Sequence, residues 1–263
     1  MALHEINGIS LNIETIKSKS SLNTFFVHGN LASNHWWHPM IEYSPNGSGS
    51  LFLFEWRGCG NSAPPQQVSE LEISQLGDDL AKAVFNLSPE SKVHLVGHST
   101  GGPICLQAAL LCPEKIERIV LLDSVGAKGI QFNDAALAGF ELMSKDRTIC
   151  EQVMATTIEG VQQDNALFQQ LVDDAFSVAP LIWSGIPRAL SHLDLEHQIK
   201  QIKAPTLILH GEKDVVLPIE DAQKLAALLP QSQLSILPEH GHSLNIEDPK
   251  LFAQLCFDFL KLK

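Results

Sequence analysis

The sequence has little of what marks membrane and nucleic-acid-binding proteins. No apolar run approaches the roughly 18 residues that a membrane-spanning helix needs. Basic residues are scarce, 18 against 30 acidic residues in 263, which gives a net charge of −12. The basic residues form no cluster along the sequence. Without a basic patch, neither a nucleic acid nor an anionic membrane is an expected partner. We therefore expect a small molecule as the substrate.

Cysteine is also scarce. The five cysteines are an odd number without framework spacing, which fits reduced thiols better than a disulfide scaffold. Residues 1–5 have neither the basic segment nor the apolar segment of a secretory signal, so the predicted location is the cytoplasm. A composition of 44% hydrophobic and 18% charged residues is typical of a globular protein.

Short apolar runs alternate with helical patterns over most of the chain. This alternation predicts an α/β fold, a doubly wound and mostly parallel sheet of about eight strands flanked by helices. An Asn7-Gly8 pair before an alternating run at residues 9–16 predicts a hairpin of two edge strands. From residue 126 to 202 the strand rhythm stops and helical patterns follow one another, which predicts a helical cap inserted after the sixth strand. The predicted core is residues 1–125 and 203–263.

The most informative stretch is the motif G-H-S-T-G-G at residues 97–102. An apolar run precedes it at residues 92–96, and a good helix-forming run follows it at residues 103–111. A strand that turns into a helix at G-x-S-x-G is the context of a nucleophile elbow, in which glycines make room for a sharp turn. Ser99 is therefore the predicted nucleophile.

A serine hydroxyl needs a general base, and the base needs a carboxylate that orients it. In the chain order Ser, Asp, His, we predict Asp214 as the acid and His242 as the base. Both follow predicted strands whose carboxyl ends meet at the sheet edge that carries Ser99. His240 is the rival base and Asp123 the rival acid; the other interpretations are a loop histidine and a turn cap.

A developing oxyanion needs two preorganised N–H donors. The backbone N–H of Thr100, at the start of the elbow helix, and that of Asn30, in the sequence His28-Gly29-Asn30, are the predicted pair. His28 is interpreted as a structural loop residue.

No metal or cofactor is predicted. Neither His35-x-x-His38 nor His240-x-His242 has an acidic or cysteine ligand at the fixed spacing that a zinc site needs. Cys59 is expected at the same sheet edge, but a cysteine nucleophile needs its own base, and a small buried filler is the preferred interpretation.

Four motifs occur in the order that is typical of α/β-hydrolase fold enzymes, and the sequence resembles that family over essentially its whole length. They are H-G-N at residues 28–30, G-H-S-T-G-G at 97–102, G-E-K-D at 211–214 and G-H at 241–242. The resemblance implies the fold and a serine, aspartate, histidine triad, but not the substrate. H-G-N followed by Trp36 is similar to haloalkane dehalogenases, yet these and epoxide hydrolases use Asp where this chain has Ser99. Acyl transfer through a serine ester is thereby favoured.

The expected function is a carboxylesterase-like serine hydrolase, acting on esters of small to medium, mainly apolar substrates through a Ser99 acyl-enzyme. Trp36, Met143 and Trp183 are the predicted substrate-binding residues. Further candidates for the pocket are Trp37, Met154, Phe168 and Phe176. Two alternatives stay open: a C–C bond hydrolase or lactonase with the same triad, and a non-catalytic protein of this fold that senses a ligand.

Overall fold

A computed structural model describes residues 2–17, 22–45 and 49–261. Within them, eight strands form one sheet: β1 (Leu3–Ile6), β2 (Ile9–Ile16), β3 (Asn23–Val27), β4 (Leu51–Phe54), β5 (Val93–His98), β6 (Ile116–Leu122), β7 (Thr206–Gly211) and β8 (Ser232–Leu237). Their order across the sheet is β1-β2-β4-β3-β5-β6-β7-β8. The pairs β1–β2 and β2–β4 are antiparallel, and the other neighbours are parallel. The predicted doubly wound, mostly parallel sheet is confirmed.

The first two strands form the predicted hairpin. Asn7 and Gly8 have φ values of 52° and 71°, and a type I′ turn needs a positive φ at both central residues. β1 lies at the edge of the sheet. The expectation of two edge strands is wrong for β2, because β2 pairs with β1 on one side and with β4 on the other.

Helices cover both faces of the sheet and fill the segment after the sixth strand. The helices outside that segment are α1 (His38–Ile41), α2 (Ile73–Leu87), α3 (Gly101–Leu111), α8 (Ile219–Leu228), α9 (Leu244–Glu247) and α10 (Pro249–Leu260). Those between β6 and β7 are α4 (Asp134–Met143), α5 (Arg147–Ala155), α6 (Ala166–Phe176) and α7 (Ile182–Ser191). These four helices lie within residues 126–202, the segment that the sequence predicts to be a helical cap, and we call this segment the cap.

The core has two parts, one on each face of the sheet. In β3, Phe25 and Val27 belong to one part and Phe26 to the other, because successive side chains of a strand point to opposite faces. Strands buried on both faces read as continuous apolar runs, which is why β5 and β6 lack an alternating pattern. No helix in the described part of the chain has the length and apolar character needed to cross a membrane.

Candidate active site

Ser99 follows the last residue of β5 and stands two residues before α3. Its backbone φ is 52°, in the left-handed region that residues other than glycine seldom adopt. The neighbouring glycines permit this turn, since a Cβ on Gly101 would lie 2.1 Å from the carbonyl oxygen of Val27, and one on Gly97 would lie 2.5 Å from that of Gly101. The Ser99 N–H donates to the carbonyl oxygen of Leu122 at 3.0 Å. The strand-to-helix turn predicted from the motif is present.

Asp214 and His242 meet after β7 and β8. The Nδ1 atom of His242 lies 2.8 Å from Oδ2 of Asp214, and both side chains are buried. The other oxygen, Oδ1, accepts the N–H groups of Val216 at 2.7 Å and Leu217 at 3.0 Å. Burial acts to raise the pKa of Asp214, but the hydrogen bond and charge of His242 and the two N–H groups outweigh it and hold the pKa below its ordinary value. An ionised carboxylate only accepts, so Nδ1 of His242 carries the proton and Nε2 is free to accept one.

A cavity of about 380 Å³ brings Ser99 and His242 together. Their side chains are not hydrogen-bonded to each other in this structure, and such bonds often tighten only when a substrate binds. The side chains that line the cavity are mainly apolar. They are Leu31, Ala32, Trp36, Ala136, Phe140, Met143, Val153, Met154, Val215 and Val216, with Asn30, His98, Thr156, Thr157 and the backbone of Gly29 and Gly139. In the described part of the chain, no Lys, Arg, Asp or Glu lines it.

The loop after β3 brings Asn30 to Ser99. A Cβ on Gly29 would lie 3.0 Å from the Cβ of Ser99, so the two backbones approach closely. Gly29 and Asn30 border the cavity, and Thr100 follows Ser99 at the start of α3. Among the hydrogen bonds of the described residues, none uses the N–H of Asn30 or of Thr100. The structure therefore leaves both predicted donors available.

Two of the three predicted substrate-binding residues line this cavity, namely Trp36 and Met143. Trp183 does not: it lies in a separate depression on the cap beside Arg188. Its indole is on α7, whereas the cavity is bordered by α4 and α5. Of the further candidates, only Met154 reaches the cavity.

His98 is a lining residue that sequence reasoning did not single out. Its Nε2 atom lies 2.8 Å from the backbone carbonyl oxygen of His242, and its ring stacks on that of Trp36 with centroids 5.5 Å apart. Because a carbonyl only accepts, Nε2 donates. Burial, followed by the charge of His242, lowers the pKa of His98 to about 3, so the ring is neutral. Its position next to Ser99 in the G-H-S-T-G-G motif is the sequence feature that could have indicated a place in the cavity wall.

The rival residues, Asp123 and His240, make other contacts. Asp123 is buried, and desolvation followed by the charge of Asp214 raises its pKa well above the ordinary value. Its Oδ1 accepts the N–H of Gly211 at 2.8 Å, and no hydrogen bond joins it to His242 among the described contacts. His240 does not line the cavity; its Nδ1 lies 3.5 Å from a carboxylate oxygen of Glu247. Among the described side-chain contacts, Asp214 bonds to the ring of His242 and neither rival does.

One group of potential metal ligands includes the predicted acid, Asp214. Within the described ranges, the one group of three potential metal ligands is Asp123, His210 and Asp214, whose atoms lie within 4.8 Å of one another. Asp214 already bonds to His242, so a metal there would compete with that contact. Cys59 is buried and does not line the cavity, and burial raises the pKa of its thiol well above the usual value.

Comparison with known proteins agrees with this architecture. The sequence model of the α/β hydrolase fold matches residues 25–249. An uncharacterized hydrolase of Bacillus subtilis, YugF, is 32% identical over 271 residues, covering 97% of this chain and 96% of the relative. A 2-hydroxy-6-oxo-6-phenylhexa-2,4-dienoate hydrolase from Burkholderia cepacia is 29% identical over 64% of this chain and 63% of its own length.

Among solved structures, an esterase from Exiguobacterium antarcticum superimposes with a TM-score of 0.88 at 21% identity, covering 99% of both chains. At that identity the likeness concerns the fold. The matched family model and the sequence relative above 30% identity show that this chain belongs to the α/β hydrolase fold family of hydrolases.

Proposed function

We propose that this chain is a serine hydrolase that cleaves carboxylic esters of small to medium, uncharged substrates with apolar acyl groups. The observation that carries the proposal is a cavity lined by both Ser99 and His242, in which Nδ1 of His242 is already bonded to Asp214. A base held in this tautomer can accept the serine proton, which is the condition for nucleophilic attack.

The reaction follows from these positions. As the Ser99 hydroxyl oxygen bonds to the ester carbonyl carbon, its proton passes to Nε2 of His242, and the carbonyl oxygen becomes an oxyanion facing the N–H groups of Asn30 and Thr100. Collapse of this intermediate breaks the bond to the alcohol, which leaves with the proton from His242. Water then attacks the acyl-enzyme in the same way and releases the acid and Ser99.

The lining of the cavity supports neutral substrates over anionic ones. A dienoate such as that of the Burkholderia relative carries a carboxylate, and burying an unpaired charge is costly. No Lys or Arg among the described residues lines the cavity, and the one arginine of the nearby cap depression, Arg188, stands outside it. The apolar side chains suit an acyl chain instead.

Turnover and labelling together test the proposal. The purified chain is expected to hydrolyse p-nitrophenyl acetate and butyrate, and a fluorophosphonate is expected to form an adduct that mass spectrometry locates on Ser99. Ser99→Ala should abolish both. Ester hydrolysis by the Ser99→Ala variant at the wild-type rate would contradict the proposed mechanism.

A substrate panel tests the ester class. It contains p-nitrophenyl butyrate, a γ-lactone and a vinylogous diketone acid, each assayed with the wild-type chain and with Ser99→Ala. We expect the highest kcat/KM on the neutral ester. Faster cleavage of the diketone acid would support the C–C bond hydrolase alternative, and faster cleavage of the lactone the lactonase alternative, each with the same triad. Ligand binding without turnover on any member would favour a sensor.

A further inference from the structure

A buried carboxylate holds the turn that carries His242. Glu247 is the last residue of α9, and its side chain is 4% exposed. Its Oε2 accepts the N–H of Gly241 at 2.8 Å, and its Oε1 accepts the N–H of Ser243 at 3.1 Å. One carboxylate therefore binds the backbone immediately before and immediately after His242.

The third backbone group of this turn is also held. The carbonyl oxygen of His242 accepts from Nε2 of His98 at 2.8 Å. The N–H of Gly241 and both polar atoms of the peptide group that joins His242 to Ser243 thus have buried partners, and the imidazole has its own bond to Asp214. Hydrogen bonds to a charged acceptor are stronger than those to a neutral one.

The same carboxylate reaches the cap. Oε1 of Glu247 also accepts the N–H of Glu159 at 3.0 Å, and the hydroxyl of Ser243 donates to the carbonyl oxygen of Thr157 at 2.7 Å. Thr157 lines the cavity. The cap segment after α5 is therefore fastened to the histidine turn at two points.

We infer that Glu247 is a positioning residue of this active site, because its carboxylate fixes the backbone on both sides of His242 and fastens residues 157–159 of the cap to the same turn. It touches no reacting atom and acts through His242. The inference rests on the proposed function, in which His242 is the base. An error of about 1 Å in the placement of a catalytic group can cost about 100-fold in rate.

The variant Glu247→Gln removes one acceptor while it keeps the side-chain size. The carboxylate presents an acceptor to each of its three N–H donors, whereas an amide has one oxygen, so its NH₂ group faces at least one donor in either orientation. We expect kcat for p-nitrophenyl acetate to fall about 100-fold with little change in KM. A short substrate is chosen because it makes few contacts with the cap.

Two controls separate positioning from loss of charge or fold. Glu239→Gln removes a carboxylate from the same turn; that side chain is 79% exposed and pairs with Lys213, so kcat should stay at the wild-type value. Glu247→Asp keeps the charge on a side chain one methylene shorter, and its kcat should lie between those of the wild type and Glu247→Gln. The final stoichiometry of fluorophosphonate labelling counts folded sites in each variant.

A spectroscopic readout reports on His242 directly. The Nδ1 proton shared with Asp214 should give a low-field proton resonance in the wild type and in Glu239→Gln, and a shifted or broadened one in Glu247→Gln. Wild-type kcat and an unchanged resonance in Glu247→Gln would overturn the inference. If that variant does not fold, Glu247→Asp decides: wild-type kcat overturns the inference, and reduced kcat at full labelling stoichiometry supports it.

Failure of the proposed function can be distinguished from failure of the inference about Glu247. If the wild-type chain turns over no ester, the proposed function is wrong, whereas the rate at which Ser99 captures the fluorophosphonate still measures how well His242 is placed. Equal capture rates in the wild type and Glu247→Asp would then overturn the inference as well, and slower capture in the variant would support it.

Discussion

The tautomer of His242 can be reversed by a change of one atom in Asp214. In Asp214→Asn the side chain keeps its shape, but one oxygen becomes an NH₂ group. Oδ1 of Asp214 accepts two N–H groups, from Val216 and Leu217, whereas Oδ2 accepts one, from His242. Turning the NH₂ toward the two backbone donors would leave both without an acceptor, at about 1–3 kcal/mol each. The amide oxygen therefore stays on the backbone side.

The NH₂ group must then donate to Nδ1 of His242, which places the ring proton on Nε2. A protonated Nε2 cannot accept the proton of Ser99. In serine proteases the same loss of tautomer lowers kcat by about 10⁴-fold, which corresponds to about 5.5 kcal/mol in the barrier. We expect a loss of this size for Asp214→Asn, with KM nearly unchanged.

The assay is the steady-state hydrolysis of p-nitrophenyl butyrate, with thermal unfolding as the check on the fold. Glu212→Gln, two residues away and exposed, is the matched control and should keep the wild-type kcat. Asp123→Asn should also keep it, because the amide oxygen can still accept from Gly211 and Asp123 has no hydrogen bond to His242. Activity of Asp214→Asn within tenfold of the wild type would refute the reasoning. Loss of activity in Asp123→Asn would indicate that Asp123 is the carboxylate on which His242 depends.

Three further changes test the fold and the cavity. Gly101→Ala should destabilise the protein by more than about 4 kcal/mol in denaturant unfolding, since its Cβ would lie 2.1 Å from the backbone oxygen of Val27. The matched control is Gly139→Ala, whose Cβ would have no neighbour within 4 Å, and it should be neutral or stabilise the protein by up to about 1 kcal/mol. Desolvation lowers the pKa of His94 to about 4. Between pH 6.5 and 4 the unfolded chain therefore binds a proton that the folded chain does not, and the free energy of unfolding decreases as the pH falls. His94→Leu should remove about 3 kcal/mol of that decrease, as measured by denaturant unfolding across this pH range. Met143→Trp should lower kcat/KM for p-nitrophenyl octanoate about tenfold more than for the acetate, because the larger ring displaces about two methylenes of the acyl chain from the cavity; equal losses on both esters would contradict the placement of Met143.

The residues fixed by local backbone chemistry could be predicted from the sequence. The strand, the glycines and the helix around Ser99 all follow from a short stretch, because the turn tolerates few alternatives at those positions. Asp214 and His242 could be predicted because parallel strands end at one edge of the sheet, so residues after successive strands share that edge. Each of these inferences needs only the order of the strands.

Residues on the cap could not be predicted in the same way. Met143 and Trp183 both lie on apolar helices, and nothing in their spacing shows which helix borders the cavity. The structure places α4 and α5 there and leaves α7 beside a separate depression. Nothing in the sequence beside Asp214 indicates that Val215 and Val216 line the cavity, where they are 75% and 44% exposed.

Contacts from the cap reach both loops that the proposed reaction needs. On the oxyanion side, Asp174 of α6 accepts from the hydroxyl of Ser33 at 2.5 Å and lies 2.6 Å from Nδ1 of His35. On the base side, Glu247 accepts the N–H of Glu159 at 3.0 Å. In both places a largely buried carboxylate joins the cap to a loop that carries a predicted catalytic group. A cap that only enclosed the substrate would need neither contact. Changes in this cap should therefore alter kcat as well as KM, since moving the cap also moves the donors and the base.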